Sequence, residues 1–297
     1  MRIYDTLYFK NGNPKPKGGV KFQVKQAKKM YSELSPETKE FFDIMVNEEL
    51  MDLDNRAGKS GGGFCTSFPL YERPYIFANF NGTDHDVTVL THEAGHAFQC
   101  YMSRKQPINR YLWPTYEACE IHSMSMEFLT WDWMELFFKE DTEKFLFKHI
   151  AGSLSFLPYG ALVDHFQHWV YENPNALPKE RKEKWLELEA IYQPDKDYDD
   201  LSFLGSGGLW QKQSHIYQVP FYYIDYTLAQ VCAFQFWIKM GIDKESTWKD
   251  YLKLCEAGGS LPFLKLVKLA NLDSPFDEKV FQDVADKVDK WLGDNSL

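Results

Sequence analysis

Residues 91–98 read THEAGHAF, and this short segment limits what the chain can be more than any other. On a helix, His92 and His96 stand at i and i+4, one turn apart on one face. Both imidazoles then reach a single cation. VTVL (87–90) precedes the motif, and Ala94, Gly95, Ala97 and Phe98 sit within and after it. The helix is therefore expected to be buried rather than to carry two unrelated surface histidines, and a buried neutral histidine needs a polar partner. Glu93 is offset by one residue. It can reach a water in an open coordination position without being a ligand itself, the arrangement a metallopeptidase uses.

Two histidines leave a third ligand to find. Two imidazoles and a carboxylate form a borderline-soft donor set that suits Zn²⁺, one ion per chain, with a position open for water. Residues 116–128, YEACEIHSMSMEF, offer Glu117, Glu120, His122 and Glu127. Glu120, Ser123 and Glu127 fall at i, i+3 and i+7 on one semi-apolar face, where acidic groups want a cation or a donor. We read Glu120 as the ligand and Glu127 as the acceptor that orients a ligand imidazole. His122 and Glu117 point elsewhere. His85, seven residues before His92, is read as structural or supporting. His149, His165 and His168 have no motif around them and are read as surface or core residues.

The rest of the chain is expected to be mostly helical. A first helix starts near Phe22. Ser35 is a good N-cap with Pro36 in the first turn, and Phe41, Phe42, Met45 and Leu50 carry that helix to about Leu53, until GKSGGG (58–63) breaks the pattern. FCTSF and YIFANF, within residues 64–80, are β-prone and separated by YERP, with Asn81-Gly82 as a turn signal. Further helices are expected at about 84–104, 115–138, 141–171, 177–192, 212–240, 244–257 and 276–293. No repeat or linker divides the chain. The strand Tyr75–Phe80 has two readings, an ordinary buried strand or an exposed edge that pairs with an extended peptide.

Charge and composition exclude some classes. A net charge of −10 and a pI near 5.3 argue against nucleic acid, which needs a basic stripe. Five widely spaced cysteines with no CxxC pair fit reduced thiols. No stretch approaches the ~18 apolar residues of a membrane span, and the N-terminus has no apolar run of a signal peptide. A cytoplasmic location is the expectation. The aromatic content of 16% exceeds what a core alone calls for, so part of it is expected to line a cleft. In FLGSGGLWQKQSHIYQVPFYYIDY (203–226), glycines precede His215, Tyr217, Tyr222, Tyr223 and Tyr226. A flexible loop and helix closing over a bound peptide would place a His or Tyr donor against a developing oxyanion.

The segments THEAGHAF, EIHSMSMEF (120–128) and HIYQVPFYYIDYTLAQ (215–230), in this order, resemble the M3 family of zinc oligopeptidases, in the oligoendopeptidase F branch. The resemblance runs over essentially the whole chain. The M32 carboxypeptidases also carry HExGH, but EIHSMS fits them less well. The resemblance implies a mostly α, multi-helix zincin-type catalytic domain over residues 1–297, with a small β-sheet beside the HExxH helix. It implies a single Zn²⁺ on His92, His96 and Glu120, Glu93 as general base, and hydrolysis of internal bonds in short peptides. His215 and a tyrosine would stabilise the oxyanion. Tyr222 and Tyr223 are the best candidates and are not separated by the sequence. Family members carry a long helical region ahead of the point where this chain begins. The chain is thus read as a C-terminal half that works fully only with an N-terminal partner fragment or through self-association. The alternatives are a carboxypeptidase of the same clan, or an inactive zinc-binding helical scaffold.

Overall fold

The computed structural model describes residues 8–297. Helix α1 (Val20–Leu34) turns at Ser35 into α2 (Pro36–Asn47). The turn is a capping box: Ser35 Oγ accepts from the Thr38 N–H and Thr38 Oγ1 accepts from the Ser35 N–H, both at 3.1 Å. The second helix stops earlier than its apolar spacing predicts. Glu49 takes a φ of 54°, the Leu50 N–H turns back to the Met45 carbonyl, and the chain leaves as a strand, β1 (Met51–Asp54). Four residues are too few to show an alternation, so this strand has no signature of its own. It forms because β3 offers it a parallel partner.

Strands β2 (Phe64–Phe68) and β3 (Arg73–Phe80) lie where expected, and the sheet order is β1-β3-β2. Strand β3 is therefore central, parallel to β1 and antiparallel to β2. Its edge is not free, and the exposed-edge reading of Tyr75–Phe80 is corrected: the outer strands are β1 and β2. One face of β3, with Pro74, Ile76, Ala78 and Phe80, is buried. The glycine-rich segment before β2 is pinned to the sheet. The Lys59 ammonium, 2% exposed, meets Asp52 Oδ1 at 3.0 Å and the Asp54 carbonyl at 2.8 Å. Asn79 Nδ2 donates to the Ser60 and Gly62 carbonyls.

The remaining helices are α3 (His85–Ser103), α4 (Tyr116–Leu129), α5 (Glu135–Phe138), α6 (Thr142–Glu172), α7 (Pro178–Tyr192), α8 (Ser214–Gln218), α9 (Tyr223–Met240), α10 (Lys244–Ala257), α11 (Phe263–Leu269) and α12 (Glu278–Asp294). Two expected long helices are broken. Thr130 ends α4, its hydroxyl folding back to the Met126 carbonyl, and Trp131–Trp133 form a tight 3₁₀ turn. Pro220, which lacks an N–H, and Phe221, at a φ of 63°, separate α8 from α9. Helix α11 falls in a stretch left without an expected element.

The principal core gathers α1 to α4, the sheet, α10 and α11 around Phe41, Phe98 and Tyr251. A second cluster joins α6, α7 and the 204–212 segment around Phe166 and Trp185. A third joins α4, α6, α9 and α12 around Phe128 and Phe234. Helix α4 is buried on most of its circumference, with α3 on one side and α9 on the other. The acidic groups it carries are thus enclosed by design of the packing.

Candidate metal centre

Helix α3 supplies three of the side chains. His92 and His96 project from successive turns, with ring centroids 5.0 Å apart. Gly95 between them lets α3 lie directly on α4: a Cβ there would stand 2.6 Å from the His122 carbonyl oxygen and 2.7 Å from Ser123 Cα. Across this backbone contact Glu120 reaches both histidines. Its Oε2 lies 3.3 Å from His92 Nε2 and 3.4 Å from His96 Nε2. Charge-assisted N–H···O bonds are shorter, about 2.7–2.9 Å. The distances match instead the edge, about 3.4 Å, of a tetrahedron whose centre lies ~2.0–2.1 Å from each donor, the bond length of zinc to imidazole and carboxylate. Among the described residues, His92, His96 and Glu120 form the one group of three donors close enough to share an ion.

The carboxylate is held on both sides. Ser123 Oγ donates to Glu120 Oε2 at 3.0 Å, and the Tyr222 hydroxyl donates to Oε1. Burial works against the charge of Glu120, but the imidazoles of His96 and His92 outweigh it and keep the carboxyl well below its usual range. His92 is also disfavoured as a cation by burial, and there Glu120 and Glu127 prevail and push the imidazole well up. A strong negative field thus lies where the two ring nitrogens converge.

Glu93 sits beside this point, 6% exposed. Its Oε2 is buried without a hydrogen-bond partner in the protein. An orphaned carboxylate oxygen is costly unless a water or ligand meets it, so the donor set and the vacant acceptor fit a metal-bound water between them. Burial raises the Glu93 carboxyl, while His92 and His96 pull it down. Gly63 covers the other oxygen so closely that a Cβ would lie 3.3 Å from Oε1.

Glu127, about one turn beyond Ser123 on α4, accepts from His92 Nδ1 at 2.7 Å through Oε1. Burial opposes its charge, but the hydrogen bonds from His149 and His92 hold its carboxyl down to about 2. The arrangement fixes the His92 ring with Nε2 toward Glu120. Glu127→Gln places an amide where two N–H groups already point. Zinc affinity is expected to fall ~10–100-fold, as read by chelator competition; an unchanged dissociation constant would make Glu127 a packing residue only.

The side chains open into a cleft of about 500 Å³ lined by Phe64, Cys65 and Thr66 of β2, by Trp113, Pro114, Tyr116 and Cys119, and by Tyr222 and Tyr226. A larger cavity of about 810 Å³ adjoins it and shares Trp113, Pro114 and Tyr116, but none of the convergent ligands faces it. Residues 19–285 match the model of peptidase family M3. The chain belongs to this family. Within M3 it stands with the oligoendopeptidase F proteins. It is 25% identical to an oligoendopeptidase F homolog of Borreliella burgdorferi, over 77% of this chain and 39% of that protein. The structure of PZ peptidase A with inhibitor 2 superposes with a TM-score of 0.95 at 58% identity, covering 96% of this chain and 51% of that one. A putative oligoendopeptidase F from Bacillus anthracis gives 0.87 at 51% identity, over 97% of this chain and 49% of that one. This M3 chain spans about two-fifths of the curated relative and about half of the solved structures.

The three M3-like segments meet at the cleft, but not every residue of the third does. Tyr222, just ahead of α9, turns into the site; Tyr226 follows one turn later, its ring centroid 4.9 Å from that of Tyr222. Tyr223 does not line the cleft. It is 9% exposed and packs with Phe156 and Tyr159 in the second core cluster. Neighbouring residues on a helix point about 100° apart, so one tyrosine faces the cleft and the next faces the core. His215 on α8 stacks 5.9 Å from Tyr222 at the rim, and its Nδ1 accepts from Gln213 Nε2 at 2.6 Å. Burial lowers its pKa, and with Gln213 donating to Nδ1 the ring's free donor is Nε2–H. His85 is exposed and outside the ligand group. His122 is buried with Nδ1 donating to the Ala118 carbonyl, away from the cleft. His165 and His168 are exposed. His149, read from the sequence as an ordinary residue, is not one: its Nε2 lies 2.7 Å from Glu127 Oε2. No local pattern marks it, because its partner is 22 residues away on another helix. All five cysteines are free, and four are buried.

Proposed function

We propose that this chain is the catalytic part of a zinc-dependent peptidase that cleaves internal bonds of short peptides. One observation carries the reading: a His-His-Glu donor group whose two Glu120–histidine distances match tetrahedral edges, beside a buried carboxylate oxygen that lacks a partner. When bound by His92, His96 and Glu120, zinc would supply a Lewis acid that polarises the scissile carbonyl and acidifies water.

The chain's own residues would do the rest. Glu93, its carboxyl raised by burial, takes a proton from the attacking water at Oε2 and returns it to the leaving amine. The Tyr222 O–H, turned away from Glu120 Oε1, and the His215 Nε2–H donate to the carbonyl oxygen as charge builds on it. The unpaired edge of β2, at Phe64–Thr66, pairs with the extended peptide backbone. The carboxypeptidase alternative needs a cation to meet a free C-terminus. Among the described residues lining the cleft there is no Lys or Arg, and Arg110 stands in the adjoining cavity. No helix among the described residues is long and apolar enough to cross a membrane.

The test is cleavage of a peptide blocked at both ends by the zinc-loaded chain. Internal products that vanish with chelator and return with zinc are expected. Products only from peptides with a free C-terminus would favour the exopeptidase. In the same assay, Tyr222→Phe should lower kcat by ~100–1,000-fold, the cost of one oxyanion donor, with little change in KM. Tyr223→Phe should stay near wild type. Equal behaviour of the two variants would remove Tyr222 from the chemistry.

A further inference from the structure

Glu127 divides its two oxygens between two imidazoles, and only His92 belongs to the ligand pair. The second imidazole, His149 on α6, is itself held from behind: Trp131 Nε1 donates to His149 Nδ1 at 3.2 Å. We propose that His149 and Trp131 are positioning residues that hold Glu127, and through it His92, in the metal-binding state; this rests on the metal-site reading above.

The argument is one of donors and acceptors. An indole N–H donates and cannot accept. His149 Nδ1 must therefore carry a lone pair, and its one proton sits on Nε2. That proton faces Glu127 Oε2 at 2.7 Å. Glu127 Oε1 receives the Nδ1–H of His92, so Nε2 is the nitrogen directed at the site, where a metal would take its lone pair. The indole thus fixes the tautomer of His149, and the doubly accepting carboxylate fixes the ring of His92. A doubly protonated His149 would set its Nδ1–H against the indole N–H and neutralise Glu127. Held neutral, it leaves the full carboxylate charge to raise the basicity of His92 toward a metal.

The packing makes this arrangement rigid. The His149 side chain is 6% exposed. Phe145 stacks on it at 5.6 Å, and Phe128 lies at 4.7 Å. The indole of Trp131 is braced by Trp237 of α9 and Trp291 of α12, at 6.0 and 5.5 Å. The early end of α4 at Thr130 puts Trp131 in the turn from which it reaches His149. The C-terminal helix is thereby tied to the metal site through four successive side chains.

The test measures zinc dissociation constants by chelator competition on the full chain. His149→Phe should bind zinc ~10-fold more weakly, the low end for an outer-shell partner. His149→Gln, whose amide restores an N–H toward Glu127, should recover most of that loss. A packing role gives the reverse order, because Phe suits the aromatic surroundings and Gln does not; that order, or wild-type affinity in both variants, overturns the proposal. Nitrogen-15 NMR of the unmodified protein should show His149 protonated on Nε2 alone, with the tautomers mixed in Trp131→Phe. A proton on Nδ1 in the unmodified protein overturns it even where a variant misfolds. His92→Ala separates the two claims. If it binds zinc normally, the metal-site reading falls and takes this one with it. If it loses zinc while His149→Phe keeps it, only the role of His149 and Trp131 falls.

Discussion

Glu93→Gln is expected to keep its zinc and to lose peptide turnover by ~100–10,000-fold, the share that a positioned general base contributes. The glutamine amide is isosteric with the carboxylate, and Glu93 contributes no atom to the ligand triangle. Metal content should therefore be unchanged. His92→Ala, His96→Ala and Glu120→Ala should behave in the opposite way and lose most of the metal, because a three-ligand site has no redundancy. Zinc titration of the four purified variants, with turnover relative to the parent chain, separates the roles. Zinc lost from Glu93→Gln and retained by Glu120→Ala would reverse the assignment.

Gly95→Ala should destabilise the chain and weaken its metal site together. In an isolated helix the change stabilises by roughly 0.5–1 kcal/mol. Here the new Cβ meets the His122 carbonyl at 2.6 Å and Ser123 Cα at 2.7 Å, both backbone atoms that no rotamer change can move. Overpacking a rigid contact typically costs ~1–3 kcal/mol or more, so the clash wins. Relief requires α4 to move away from α3, and that carries Glu120 off the histidines. Thermal melting and zinc affinity should fall together. A rise in melting temperature with unchanged affinity would mean that the two helices are not in register as described.

The grouping of the candidate residues is legible in the sequence wherever helical period alone decides it. His92, Glu93 and His96 follow from i, i+1 and i+4, and Glu120 and Glu127 from i and i+7 on the next amphipathic helix. The cap at Ser35 and the strands at 64–68 and 73–80 carry local chemical signals of the same kind. What failed depends on partners distant in sequence or on breaks within a periodic stretch. Strand β1 exists because β3 pairs with it. Tyr222 and Tyr223 part company because neighbouring helical residues point about 100° apart, and only the packing of α9 decides which one faces the cleft. His149 acquires its role from Glu127 and Trp131, on elements that only the tertiary fold brings together.

The central claim is that His92, His96 and Glu120 together hold one zinc ion. Anomalous diffraction from crystals grown with zinc, recorded above the zinc absorption edge, tests it most directly. The account predicts a single strong peak ~2.0–2.2 Å from His92 Nε2, His96 Nε2 and a Glu120 carboxylate oxygen, with Glu93 outside bonding distance. No peak within that triangle, or a metal bound through Glu93 in place of Glu120, would contradict it.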